Sequence, residues 1–248
     1  MLLPHLATIA ALLLALTACG GGSSPTAPAP APEVGGLWVG HWSRVGATNE
    51  GPTALELHAT GSTVSAFLTI PALPFYNELL TGSLAGRQFN LQNQYGFQFQ
   101  GWFYDGTPPR ADGTFSLNPP TISATWGMQR LLPPFDGEAT PGDLAGTWLV
   151  VPVSSMGQAP PSETLILGSS QTHTLQGTLQ PLGGASSQLL AGRVAGNTAW
   201  YAAIPQQYSF CVRGGSFSSG TAKGTYVEYD TRYGVILTDQ GTWTALRQ

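Results

Sequence analysis

The chain has 248 residues, of which only 9% are charged, and a net charge of −4; an average soluble protein is roughly 25% charged. Lys223 is the single lysine and the arginines are scattered, so no basic patch exists to neutralise phosphates and nucleic-acid binding is excluded. A hydrophobic share of 42% with seven Trp excludes a disordered chain, while 32 Gly and 20 Pro predict many short strands joined by tight turns.

At the amino terminus, Leu6 to Leu16 is a mostly apolar run, the length of a signal-peptide core and too short to span a bilayer as a helix, which takes about 20 residues. Leu16-Thr17-Ala18-Cys19 follows it directly. The four residues resemble the bacterial lipobox, in which an apolar and two small residues precede a cysteine that is acylated. The resemblance implies that residues 1–18 are a signal peptide and that Cys19 carries lipid, with palmitate among its acyl chains. Gly20, not Asp, comes next, which in Gram-negative lipoproteins implies the outer membrane. The leader departs from the usual pattern in having no Lys or Arg before its apolar core. Residues 19–34 read as a linker: glycines give a joint, and the alternating prolines of Pro25 to Pro32 give a spacer of roughly 25 Å at about 3.1 Å per residue. With Cys19 lipidated, Cys211 has no partner for a disulfide and is expected to be a buried apolar thiol.

The rest of the chain repeats itself. Gly36-Leu37-Trp38 returns as Gly146-Thr147-Trp148, and Leu79 to Gly86 returns as Leu189 to Gly196, both at an offset of 110. Ala111-Asp112-Gly113-Thr114-Phe115 returns as Ala222-Lys223-Gly224-Thr225-Tyr226, at an offset of 111. Each half closes on Trp-x-x-x-Arg, Trp126 to Arg130 and Trp243 to Arg247. Matching order at near-constant spacing reads as a tandem duplication. The first copy is assigned to residues 35–131, a Pro-rich linker to 132–143 and the second copy to 144–248.

Strand-like runs of the first copy are Leu37–Arg44, Thr53–Ala59, Thr63–Ile70, Glu78–Leu84, Arg87–Asn93, Phe97–Tyr104, Gly113–Leu117 and Thr121–Arg130. Period-two alternation is plain in Val64/Ala66/Leu68/Ile70 and Ile122/Ala124/Trp126/Met128. The second copy has about eight comparable runs, with six extra residues near its last hairpin. Eight consecutive strands without helices predict an all-β fold of two tandem antiparallel meander barrels, since closure removes the reactive sheet edges. A two-sheet sandwich per copy is the alternative.

Gly-x-Trp on the first strand and Arg after the Trp of the last strand resemble the calycin signature of lipocalins, fatty-acid-binding proteins and avidins. The resemblance implies lipocalin-like barrels in which Trp38 and Trp148 lie at the closed ends, with Arg130 and Arg247 packed across them. A guanidinium stacks well on an indole, which makes the pairing physically sound.

Catalytic signatures are missing: the chain has no nucleophile elbow, zincin helix, phosphate loop or dinucleotide fingerprint, so no enzyme and no cofactor is expected. His41, Glu56 and His58 are out of phase with the Trp and Leu of their strands and share the outer face. Three such ligands could hold a metal, but exposed polar residues on a wet face are the expected reading, and no metal is assigned. Aromatic residues cluster at Phe97, Phe99 and Phe103 in the first copy and at Trp200, Tyr208 and Phe210 in the second. They either line a pocket for an apolar ligand or simply fill the barrels. Two functions follow from different classes. One is a non-enzymatic envelope lipoprotein binding a small hydrophobic ligand. The other is a protein-interaction or protease-inhibitor module with solid barrels, working through the loops Gly46–Pro52, Pro71–Asn77 and Ser154–Ser162.

Overall fold

A computed structural model describes residues 33–46, 51–71, 78–117, 122–134, 144–158, 160–168, 174–204, 209–232 and 235–248. The leader, Cys19, the linker 19–32 and Tyr208 lie outside the described residues, as do parts of the three loops named above.

All regular elements among the described residues are strands, and they form two closed antiparallel barrels of eight strands each. The first comprises β1 (Gly36–Arg44), β2 (Gly51–Thr60), β3 (Thr63–Thr69), β4 (Glu78–Ala85), β5 (Gln88–Gln92), β6 (Gln98–Tyr104), β7 (Arg110–Leu117) and β8 (Ile122–Leu132). The second comprises β9 (Gly146–Ser154), β10 (Glu163–Leu167), β11 (Gly177–Pro181), β12 (Ser187–Ala195), β13 (Thr198–Ala203), β14 (Ser209–Ser218), β15 (Thr221–Asp230) and β16 (Ile236–Arg247). Each strand pairs with its sequence neighbours, and β1 with β8 and β9 with β16 close the rings. The barrel fold is therefore as the alternation predicts, and the sandwich alternative is set aside. Strand β8 runs to Leu132, one residue into the stretch assigned to the linker.

The interior of the first barrel is packed with aromatic rings. Phe99 stacks on Trp126 with centroids 4.6 Å apart, Phe89 on Phe103 at 4.7 Å, and Phe97 on Phe115 at 5.3 Å. Narrow barrels of eight strands are filled by side chains in this way, and stacked pairs add about 0.5–1.5 kcal/mol beyond their buried area. Room for the rings comes from inward glycine. A Cβ at Gly101 would stand 2.4 Å from Trp126 Cζ2 and 2.2 Å from the Asp112 carbonyl oxygen.

One indole hydrogen bond recurs at the first strand of each barrel. Trp38 Nε1 donates to the Val34 carbonyl at 2.9 Å, and Trp148 Nε1 donates to the Leu144 carbonyl at 3.0 Å. The arginines lie opposite these tryptophans in the closing pairs. Arg247 holds its guanidinium carbon 5.9 Å from the Trp148 ring centroid and donates to the Ala145 carbonyl. Arg130 Nη1 donates to the Glu33 carbonyl at 2.7 Å.

The barrels meet along an apolar seam. Outward residues Leu37, Val39 and Ala54 of the first barrel and Leu132 at its end pack with Ala191, Trp200, Ala202, Phe210, Val212, Val227 and Tyr229 of the second. The fit is close enough that a Cβ at Gly214 would stand 2.1 Å from Leu132 Cδ1.

Candidate functional site

The aromatic residues singled out in the sequence part company in three dimensions. Phe97, Phe99 and Phe103 fill the first barrel. Trp200 and Phe210 do neither of the things expected of them: they point outward, into the seam. Strand β13 explains the reversal. Ala199, Tyr201 and Ala203 take its inner face, so Trp200 and Ala202 take the outer one. Both phases of this strand are apolar, so alternation could not tell inside from outside.

The outer face of β1 and β2 is wet only in part: the His58 side chain is 40% exposed and His41 half-buried. Glu56 lies on the predicted face but is only 2% exposed, enclosed by the second barrel. Its carboxylate accepts a hydrogen bond from Trp200 Nε1, sits 3.4 Å from Arg193 Nε, and pairs with His58 Nε2 at 2.6 Å. The Arg193 guanidinium also lies 5.0 Å from the ring centroid of Phe67, which meets Trp200 edge-on at 6.3 Å. Glu56 is thus a polar peg in an apolar joint. Burying a carboxylate is costly without such partners, and their positions restrict how one barrel can sit on the other. His41 stands apart from this set, half-buried, with burial holding its imidazole pKa below the ordinary value. Among the described residues no group of three His, Cys, Asp or Glu converges on a metal position.

The feature the sequence reading missed lies inside the second barrel. Corresponding positions of the two copies can be read from strand pairing. Gly113 pairs with Gly101 and Trp126, and Gly224 with Gly215 and Trp243. Counting from these anchors, Cys211 and Arg213 take the places of Phe97 and Phe99, and Tyr226 takes that of Phe115. On β13 and β10, Tyr201 takes the place of Leu91 and Glu163 that of Thr53. An aromatic layer in one copy has become a charged layer in the other.

Arg213 is the centre of that layer and is 2% exposed. Its Nη2 pairs with Glu163 Oε2 at 2.5 Å, its Nε donates to Cys211 Sγ at 3.3 Å, and its guanidinium lies 5.3 Å from the Tyr226 ring centroid. Tyr226 donates to Asp239 Oδ2 at 2.6 Å, and Ser154 Oγ donates to Asp239 Oδ1 at 2.5 Å. Ser209 Oγ donates to Glu228. The Arg213 guanidinium also bears on the buried Tyr201 hydroxyl, and Arg213 Nη1 is buried with no hydrogen-bond partner among the described residues. These groups lie toward the end of the barrel away from the Trp148–Arg247 pair. Cys211 is a free, buried thiol as expected, and burial pushes its pKa up to about 12.

Burial raises the Glu163 carboxyl above the usual carboxylate range; Arg213 opposes that shift and Glu228 adds to it. A carboxyl raised in the folded state contributes most to stability below its unfolded pKa, and the contribution fades as pH rises through its folded pKa. Wild type should therefore gain stability relative to Glu163→Gln as pH falls from neutral toward the ordinary glutamate range. Urea denaturation of both proteins across that interval checks this, and parallel profiles would contradict it.

Fold and layer together define a class: a tandem pair of closed barrels, one filled with aromatic rings and one holding a buried charged layer. No protein-family model and no curated protein matches the sequence. Among solved structures, transferrin-binding protein B, isotype 1, of serogroup B Neisseria meningitidis is similar: identity is 11%, with 80% of this chain and 66% of that one covered, at a TM-score of 0.26. A double mutant of transferrin-binding protein B from Haemophilus parasuis Hp5 is 8% identical, with 86% and 75% covered, again at 0.26. At that TM-score the superpositions add nothing to the fold read from the chain's own strand pairing.

Proposed function

We propose that this chain is a non-enzymatic, lipid-anchored protein of the cell envelope whose joined barrels meet a protein partner through their outer surface. The observation that carries this reading is the outward face of β9. Leu149, Val151 and Val153 are 39%, 41% and 59% exposed. Leu246 of β16 pairs beside Leu149, and Ile166 of β10, also exposed, extends the stripe. A strand facing water ordinarily alternates apolar with polar residues, and a contiguous apolar sheet face marks an interaction surface.

The repeat indicates what covers such a face. Part of its counterpart in the first copy is covered in the seam: Val39, which matches Leu149, is buried against the second barrel, while His41 and Ser43, which match Val151 and Val153, are part-buried. The partner surface inferred for β9 is apolar, to match exposed Leu149, Val151 and Val153. The ring-filled first barrel supports action from the surface rather than the binding of an apolar ligand inside it. Anchoring rests on Cys19 and the residues around it.

A photo-cross-linking residue at Val151 tests the surface, with exposed Thr114 on the polar outer face of the first barrel as control. In intact Gram-negative cells the Val151 probe should give one discrete protein adduct that Val153→Lys abolishes. Equal adducts at both positions, or none at Val151, would sink the proposal. Cys19→Ser should move the chain from the membrane fraction to the soluble one.

A further inference from the structure

The structure assigns a second site to the outer face of the first barrel, along β5 and β6, where an open cleft and a row of amides and aromatic rings fit an extended, neutral oligosaccharide. The site lies on the other barrel from the β9 surface and does not rest on it.

Among the described residues the exposed aromatic side chains are Tyr95, Trp102 and Tyr104, and all three belong to β6 or to the turn before it. The remaining tryptophans are buried. Solvation alone gives no reason to gather the exposed rings on one strand. Nor do they make the apolar core that a protein interface buries. Trp102 pairs between Gln88 and Asp112, and Tyr104 donates to Asp112 Oδ1 at 3.1 Å. Each ring therefore stands among polar groups. A sugar matches that arrangement, with C–H bonds for a ring face and hydroxyls for the groups around it.

Tyr95 borders a cleft of about 660 Å³, lined also by Glu78, Leu79, Gln92 and Asn93. Asn93 builds this end of the site. Its Oδ1 accepts from the backbone N–H of Tyr95 at 2.9 Å and of Phe97 at 3.0 Å, and its Nδ2 donates to Glu78 Oε2 at 3.1 Å. From the cleft the exposed pairs Gln92–Gln98, Asn90–Gln100 and Gln88–Trp102 lead along the sheet, over roughly 14 Å at about 3.4 Å per residue. Amides both donate and accept, as a run of hydroxyls requires. A straight track fits an extended chain, and Glu78 and Asp112 repel acidic sugars.

The second copy shows the same face of the fold in contact. By strand pairing, Trp200, Ala202, Val212 and Gly214 take the places of Asn90, Gln92, Gln98 and Gln100, and they lie in the seam. Where this face meets protein it is apolar. The amide version suits a polar occupant.

The full chain, purified in a detergent without a sugar headgroup, is titrated with cellohexaose, chitohexaose and the acidic β-1,4-linked hexamannuronate. Because Trp102 is the exposed tryptophan, acrylamide quenching of the intrinsic fluorescence reports on it. At least one neutral hexamer should shield Trp102 saturably, with a Kd about tenfold or more below that of hexamannuronate. Tyr95→Ala removes an exposed ring at the far end of the track, so it should raise that Kd about tenfold while leaving the thermal midpoint unmoved. No shielding by either neutral hexamer, an equal Kd for the acidic one, or an unchanged Kd in Tyr95→Ala would each overturn the site. A discrete protein adduct from a cross-linking residue at Gln100, with no response to either hexamer, would give the face to a protein instead.

Discussion

Replacing Arg213 with Met should cost about 3–5 kcal/mol at neutral pH, because Glu163 is left as an uncompensated buried charge. The loss should shrink as pH is lowered, since an orphaned carboxyl escapes the penalty by taking up a proton. The informative comparison is the double variant Glu163→Thr/Arg213→Met. It copies the Thr53 of the first copy and puts an apolar chain where Phe99 stands, so most of the loss should return, to within about 1–2 kcal/mol of wild type. Guanidinium denaturation of the three proteins measures the whole cycle. If the double variant is as unstable as the single one, the charged layer is a structural necessity of this barrel, and the first copy is no guide to it.

Trp200→Ala should have a comparable effect at the seam, about 3–5 kcal/mol, the usual cost of removing a buried indole. It also takes from Glu56 a hydrogen-bond donor that the second barrel supplies. The loss falls on the union of the barrels and not on either interior, so a single unfolding transition should split into two. Gly214→Leu should weaken the same joint from the other side by crowding Leu132, at about 1–3 kcal/mol. Calorimetry resolves the transitions. A Trp200→Ala protein that still unfolds in one step, with its midpoint unmoved, would show that the seam does not couple the barrels.

Much of this architecture can be read from local chemistry. Period-two alternation in β3 and β8, glycine-bearing turns and the offset of 110 residues lead directly to sixteen strands in two equal sets. The six extra residues placed near the last hairpin of the second copy fit the longer span between Gly224 and Trp243 than between Gly113 and Trp126. These features are legible because strand period and turn chemistry depend on residues only a few positions apart.

The candidate sites were not legible in the same way. The outward phase of Glu56 follows from Leu55 and Leu57, but its burial depends on Trp200 and Arg193, which lie more than 130 positions away. Trp200 and Tyr201 are adjacent rings on a strand apolar on both faces, and only the approach of the other barrel decides which one faces outward. A signal for the charged layer was nonetheless present. Aligning the copies by strand pairing sets Arg213 against Phe99 and Glu163 against Thr53, whereas a constant offset of 110 sets Arg213 against Phe103 and hides the exchange. Sequence alone thus determined strand number, closure and duplication, all products of short-range periodicity. Tertiary structure decided which outward faces are covered and which inward charges find partners, because burial and pairing are set by surfaces that the chain brings together only after both barrels have closed.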